Sequence, residues 1–320
     1  MELVTGAGGF IGGHLTRFLL SKGLHVKAID VKPLGHWYQN FEEADNLVLD
    51  LRSAQSAEFA VNRVKRVWNL AADMGGMGFI SNNKTACMMS VLINTNLLHA
   101  ASKSDVESFY FSSSACVYPD YRQEDPNLVP LAESDAYPAQ PEDGYGWEKL
   151  FSERMCRHYR EDYGLRTFVG RYHNVYGPFG TFDGGREKAP AAICRKVATA
   201  KIEGQSEIEI WGDGEQTRSF MYIDDCIRGT HDLVESNFYN PLNIGSAEIV
   251  TINQLVSIIE EIAGIKLKRK YDLSAPQGVR GRASDNTLFR SLFGWEPSTP
   301  LKEGIESTYK WIYDELAKVS

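Results

Sequence analysis

The sequence predicts an α/β protein: a doubly wound parallel sheet followed by a smaller C-terminal lobe. Three observations carry this reading. Strand-like and helix-like segments alternate as far as about residue 175. A glycine-rich turn joins the first strand to the first helix. Beyond that point glycine and proline become frequent, and the strand-like runs grow short and isolated. Such alternation builds a parallel sheet covered by helices on both faces.

Glu2-Leu3-Val4 reads as a strand ending at Thr5. The segment from Gly12 to Lys22 reads as a helix, with Leu15, Phe18 and Leu19 on one face. His25–Asp30, Asn46–Leu49 and Arg66–Leu70 are the next three strands, and a long helix is expected over Thr85–Ser102. Ser108–Ser112 is a fifth strand, Gly146–Tyr163 a helix and Thr167–Arg171 a sixth strand. Segments near Ser219–Tyr222 and Pro241–Ile244 are expected to return to the main sheet, and a helix over about Lys302–Leu316 closes the chain. The expected division is therefore discontinuous. Residues 1–174, with returning segments at about 219–246, form the first lobe; residues 175–218 and 247–320 form the second.

The chain has 320 residues, 43% hydrophobic and 24% charged, which suits a globular protein with a sizeable core. A formal net charge of -8 argues against a non-specific nucleic-acid binder, which would be basic. It does not exclude an anionic ligand, because local Arg and Lys decide that. The five cysteines, Cys87, Cys116, Cys156, Cys194 and Cys226, show no CxxC or metal-type spacing, so no metal site is expected. An odd, unpaired set points to a reducing compartment. The first residues run straight into a glycine-rich turn, so no signal peptide is expected, and no apolar run approaches a membrane span. A cytoplasmic protein follows.

TGAGGFIGGH places Gly6, Gly9 and Gly12 at GxxGxxG spacing between a strand and a helix. Gly6 permits the tight turn, Gly9 lets backbone approach a pyrophosphate, and Gly12 allows helix to pack closely on sheet. The helix N-terminus, with Phe10 and Ile11, adds free N–H groups and a favourable dipole for the anion. Asp30 ends the second strand, where a carboxylate binds both ribose hydroxyls and repels a 2′-phosphate. That favours NAD over NADP, although Lys32 nearby weighs the other way. Asp50 and Leu51 are candidates to flank the adenine, Asp50 being equally suited to capping its loop. Leu70, Ala71 and Ala72 complete the cofactor set after the fourth strand.

Tyr145 and Lys149 stand four residues apart and share a helical face. A nearby ammonium stabilises phenolate, so the tyrosine can take a proton from a sugar hydroxyl. The competing reading is a surface aromatic–cation pair. Ser112-Ser113-Ser114 follows the fifth strand, and Ser112 and Ser113 read as strand-end caps. The glycine triplet together with YxxxK resembles the extended short-chain dehydrogenase/reductases over nearly the whole chain. That resemblance implies a Rossmann lobe with a small substrate-binding lobe, a Ser at position 114 that hydrogen-bonds the reacting hydroxyl, and a Lys149 that also holds the nicotinamide ribose.

Cys116 lies two residues beyond Ser114. On chemistry alone it reads equally as a proton-transferring thiol or as a buried inert one. ADMGGMGFI (72–80), SSACVYP (113–119), GRYHNVYGPFGTFDGGREKAPAA (170–192), WGDGEQTRSF (211–220) and GVRGR (278–282) closely resemble the GDP-mannose 3,5-epimerase family. The resemblance implies an isomerase acting on a GDP-sugar, in which Cys116 and Lys188 form the acid/base pair. Without it, Lys188 would read as a solvated surface lysine. It further implies a diphosphate clamped by Arg218 and Arg282. Gly75, Ala115, Asn174, Glu187, Ala189, Lys196, Gln216 and Thr217 complete the substrate set. Arg280 divides evenly between phosphate contact and a surface ion pair. A homodimer through the helices near 85–102 and 146–163 is expected on the same ground. The GDP-fucose synthases share the pattern around the cysteine but pair it with a histidine and reduce with NADPH. A non-catalytic NAD-binding regulator is the remaining alternative.

Overall fold

The computed structural model describes residues 1–127 and 129–318. In chain order the elements are β1 (Glu2–Thr5), α1 (Phe10–Ser21), β2 (Val26–Asp30), β3 (Asp45–Val48), α2 (Ala54–Val61), β4 (Arg66–Asn69), α3 (Met77–Asn82), α4 (Lys84–Met88), α5 (Val91–Ser102) and β5 (Ser108–Ser114). Then come α6 (Tyr145–Tyr163), β6 (Arg166–Tyr172), β7 (Val175–Tyr176), α7 (Ala189–Glu203), β8 (Glu207–Trp211), β9 (Thr217–Ser219), β10 (Met221–Tyr222) and α8 (Ile223–Glu235). The chain ends with β11 (Leu242–Ile244), β12 (Ile249–Thr251), α9 (Ile252–Ala263), β13 (Lys268–Asp272), β14 (Gly281–Arg282), α10 (Thr287–Phe293) and α11 (Leu301–Ala317).

The main sheet has seven strands in the order β11-β6-β5-β4-β1-β2-β3, and every neighbouring pair is parallel. Helices cover both faces, so β1 and β2 are buried throughout. Lys27 within β2 is accommodated because its Nζ donates to the carbonyls of Ala60 and Asn62. One core layer joins Val4, Leu15, Trp68, Phe168 and Phe289. The other joins Leu3, Ile29, Leu97, Phe109 and Val169. A separate core gathers α7, β8, α9 and α11 through Val197, Ile210, Leu255, Ile259 and Ile305.

Three expectations need correction. Helix α1 begins at Phe10, two residues early, because Gly9 already serves as its N-cap. The helix expected over Thr85–Ser102 is broken into α4 and α5 around Met89–Ser90. There the bonding tightens to a three-residue span, from Ser90 N–H to the Cys87 carbonyl and from Ile93 N–H to the Ser90 carbonyl. The Ser90 hydroxyl is spent on the backbone N–H of Asp73. Ser219–Tyr222 does not return to the main sheet either. β9 pairs with β12 and β14, and β10 pairs with β7, while the edge beside β6 is taken by β11 alone.

Candidate active site

Strand order reverses between β1 and β4, so a crevice opens at their carboxyl ends. The glycine turn lines it. Gly6 is left-handed, at φ +70°, with the Ala71 backbone 3.0 Å from where a Cβ would stand. A Cβ on Gly12 would collide with the Gly6 carbonyl oxygen. The first turn of α1, at Phe10, Ile11 and Gly12, leaves N–H groups without intrahelical acceptors. Asp30 is buried at the edge of the crevice, its Oδ1 accepting from the Lys32 N–H at 2.9 Å. A cradle that rejects side chains, a helix N-terminus and a carboxylate at the ribose end together fit a dinucleotide with free ribose hydroxyls. The Trp37 ring lies against Gly8, and a 480 Å³ cavity lined by Lys32, His36, Trp37, Tyr38 and Thr181 opens beside it.

Leu70, Ala71 and Ala72 lie partly exposed after β4. The Ala71 N–H donates to the Thr5 hydroxyl, which itself donates to Asn69. Leu51 instead buries its side chain in the core. Asp50 is engaged by Arg52 at 2.6 Å, and that bond holds its carboxyl below the usual range.

Tyr145 and Lys149 start α6 and are both buried. The Lys149 Nζ sits 4.6 Å from the Phe111 ring centre, 5.4 Å from that of Tyr145 and 3.5 Å from Glu148 Oε2. Burial pushes the Tyr145 phenol well above its ordinary value. Cys116 and Glu148 add to this, and the Ser114 hydroxyl opposes it. Ser114 Oγ also accepts from the Cys116 N–H at 3.2 Å, which fixes the short helical turn carrying the thiol. Cys116, Tyr145, Cys87 and Ile80 form one buried cluster, with Met74, Met77 and Phe79 packed against it. The thiol and the phenol therefore share one buried cluster.

Lys188 is the N-cap of α7. Burial lowers its amine below the ordinary lysine value, and Cys116 is the largest opposing influence. Glu187 is tied back, Oε2 accepting from the Gly185 N–H at 2.7 Å and Oε1 facing Arg195 at 3.4 Å. Ala189 opens the helix against the second core. Gly75 is buried in close contact with Phe79 and the Arg186 backbone.

Arginines gather opposite. Arg218 donates to the carbonyls of Thr217, Gln277 and Val279. Burial first, then the neighbouring Arg282, pulls it down to about 9. Such crowding of like charge marks a place for an anion. Arg282 stands beside Arg218 as its cross-strand partner, with Nη1 donating to Cys116 Sγ at 3.4 Å and Nε to Gln123 Oε1 at 2.6 Å. Arg280 pairs with Asp213 at 3.0 Å.

Four expected substrate residues are occupied with local structure. Lys196 Nζ donates to the Glu209 carbonyl. Gln216 Nε2 donates to the Trp211 carbonyl, leaving a buried Oε1 without a partner. Thr217 donates to the Pro126 carbonyl. Asn174, left-handed at φ 43°, donates to the Ser219 carbonyl. Ala115 is buried within the short turn that carries the thiol. Sequence reasoning missed Gln123, Glu148, Cys87, Met77, Phe79 and Trp37. None stands in a spacing pattern that could have flagged it. A separate hollow of 380 Å³ between Arg154, Arg157, Arg160 and Tyr239 is lined by no expected site residue.

A model of the NAD dependent epimerase/dehydratase family matches residues 2–245. The chain is 46% identical over 316 residues to GDP-mannose 3,5-epimerase 1 of Oryza sativa subsp. indica, covering 98% of this chain and 82% of the relative. It is 29% identical over 310 residues to GDP-L-fucose synthase 1 of Arabidopsis thaliana, covering 94% and 92%. Among solved structures, UDP-glucuronic acid 4-epimerase of Bacillus cereus, in complex with UDP-glucuronic acid and NAD, superposes with a TM-score of 0.84. It shares 26% identity, with 98% of this chain and 100% of that one covered.

Proposed function

This chain belongs to the NAD dependent epimerase/dehydratase family, and on that premise we propose how it works: it is an NAD-dependent isomerase that inverts carbons 3 and 5 of GDP-mannose through a transient ketone at carbon 4. The observation that carries the reading is one buried cluster holding the Tyr145 phenol and the Cys116 thiol, with the Lys188 amine under the influence of that thiol.

Gly6, Gly9, Phe10, Ile11, Gly12, Asp30 and Lys149 would hold NAD, with Leu70, Ala71 and Ala72 lining the crevice and Asp50 toward the adenine, while Leu51 stays in the core. When bound, it supplies the hydride acceptor and donor for carbon 4. Tyr145 takes the carbon-4 hydroxyl proton, oriented by Ser114, while the Lys149 ammonium stabilises the phenolate. The ketone makes the protons on carbons 3 and 5 acidic. At each carbon in turn Cys116 Sγ removes the proton and Lys188 Nζ protonates the opposite face, the two groups exchanging protons with solvent between the inversions, and Tyr145 returns its proton when the carbon-4 hydroxyl is reformed. An amine held below its ordinary value by burial gives up a proton more readily. Arg282 holds the sulfur in place through Nη1, and Arg218 neutralises the diphosphate. The product is GDP-L-galactose, or GDP-L-gulose when only carbon 5 inverts.

A reductase of the GDP-fucose-synthase kind would need a histidine opposite the thiol. The only histidine after residue 175 is His231, and its ring packs on Phe18, 5.2 Å between centres. His173 is buried, its Nε2 donating to Asn243 Oδ1 at 3.0 Å, with burial pulling it down to about 3. Incubation with GDP-mannose and catalytic NAD, without reductant, is expected to yield the epimers by NMR. Stoichiometric consumption of NADPH, or no new sugar, would reject the reading.

The lobe division is proposed with its return to the main sheet beginning at α8 and not at 219: residues 1–174 with 223–246, against 175–222 with 247–320, on the separate second core, which takes in Phe220; its last two residues lie outside the described ones. A homodimer is proposed through α5 and α6. Met88, Met89, Leu92, Trp147 and Phe151 give that side an exposed apolar face. Among the described residues no helix is long and apolar enough to cross a membrane. All five cysteines are unpaired, which supports a cytoplasmic setting.

A further inference from the structure

The segment carrying Lys188 has two open glycines upstream and a strap to the loop after β4 beyond them. Upstream, Gly184 and Gly185 are both left-handed, at φ 85° and 84°, with nothing around them to restrain a side chain. Immediately after them the chain meets the loop that follows β4. The Gly76 N–H donates to the Arg186 carbonyl at 3.0 Å. The approach is so close that a Cβ on Gly76 would collide with the Glu187 carbonyl. Arg186 Nη1 bonds Asp73 Oδ1 at 2.5 Å and the Met74 carbonyl at 3.3 Å. Its guanidinium lies 3.8 Å from the centre of the Phe79 ring. Asp73 is fixed in turn by its own N–H on the Ser90 hydroxyl, at 2.9 Å.

We infer that Arg186 is a positioning residue for epimerisation: latched to Asp73 and Phe79 across the cleft, it sets where Lys188 stands relative to Cys116. This rests on the proposed function for the identity of the proton donor. An exposed ion pair alone would hold little, and this one is about half exposed on both partners. The ring contact and the backbone bond make it a three-point clasp. Lys188 follows two residues later as a helix cap, so a slip at 186 moves the amine directly. A displacement of about 1 Å in a reacting group costs roughly a hundredfold in rate. Phe79 also packs against the cluster that holds Tyr145, but Tyr145 and Lys149 are fixed by α6, so oxidation at carbon 4 is affected less than exchange.

The test compares wild type with Arg186→Gln, Asp73→Asn and the exchanged pair Asp73→Arg/Arg186→Asp. Rapid mixing with GDP-mannose reads carbon-4 oxidation from reduced nicotinamide absorbance, and NMR in deuterated water reads exchange at carbons 3 and 5. Each single variant is expected to lose roughly tenfold or more in exchange while oxidation changes by less than about threefold, with exchange partly restored in the swapped pair. Equal loss of both steps, or no loss of exchange, overturns the inference. Amide hydrogen exchange over residues 183–190 gives a readout without substrate. Faster exchange in the single variants is expected, and unchanged protection overturns the latch. Failure of wild type to exchange deuterium contradicts the proposed function instead, and the amide measurement still judges the latch.

Discussion

Arg282 Nη1 lies 3.4 Å from the sulfur of Cys116, and the same guanidinium is held by Nε on Gln123 Oε1 at 2.6 Å. Both residues of that second bond are buried. A guanidinium so fixed holds the sulfur in place for proton exchange. Arg282→Gln should therefore lower exchange at carbons 3 and 5 by roughly a hundredfold, while carbon-4 oxidation changes only a few-fold. Arg282→Lys keeps the charge but loses the fork that grips Gln123 and should fall between. Single-turnover exchange followed by NMR checks both variants.

Glu148 tests the balance around the tyrosine. Its Oε1 accepts from Ser152 at 2.9 Å, while Oε2 is buried without a hydrogen-bond donor, 3.5 Å from Lys149 Nζ. Burial is the main reason the Tyr145 phenol is raised, and the charges of Cys116 and Glu148 add to it. Removing the carboxylate favours phenolate. Glu148→Gln should move the acidic limb of carbon-4 oxidation to lower pH, and Glu148→Asp should leave it near wild type. A pH–rate profile that does not move would contradict this.

Lys188 should show a trade between stability and activity. Burial lowers its folded pKa below the unfolded value near 10.5, so folding penalises the protonated form. The penalty is complete below the folded pKa and fades as pH rises through the folded value toward the unfolded one. Lys188→Met removes it. The variant should lose epimerisation yet gain in Tm, and gain more at pH 7 than at pH 10. Thermal unfolding at the two pH values, on protein whose activity has been measured, provides the check.

Gly12→Ala should abolish retained NAD and destabilise the fold by about 1–3 kcal/mol, because its Cβ would meet the Gly6 carbonyl. Gly35→Ala serves as control, having open space and no left-handed backbone. Nucleotide released on denaturation, together with urea unfolding, distinguishes the two.

How much of this was legible in sequence follows from where the information lies. Gly6, Gly9, Gly12, Tyr145, Lys149 and the Ser114–Cys116 turn are local patterns, and a spacing of three or four residues fixes their geometry. Asp30 was legible for the same reason, as the last residue of a buried strand. Arg282 with Gln123 was not, because the two meet across 159 positions. Arg186 with Asp73 meets across 113. The break between α4 and α5 depends on Ser90 reaching back to Asp73, a tertiary contact that helical periodicity cannot report. Short strands such as β9 and β10 carry too few residues to reveal which sheet they join. Their pairing was therefore assigned wrongly, while β11, beside β6, was placed correctly.

The most direct measurement is incubation of the wild-type protein with GDP-mannose in deuterated water, read by NMR at each ring carbon. The account predicts deuterium at carbons 3 and 5, none at carbon 4, and no net change in nicotinamide. Cys116→Ala should abolish the incorporation while carbon-4 oxidation survives. A wild-type product carrying no deuterium at carbon 3 or carbon 5 would contradict it.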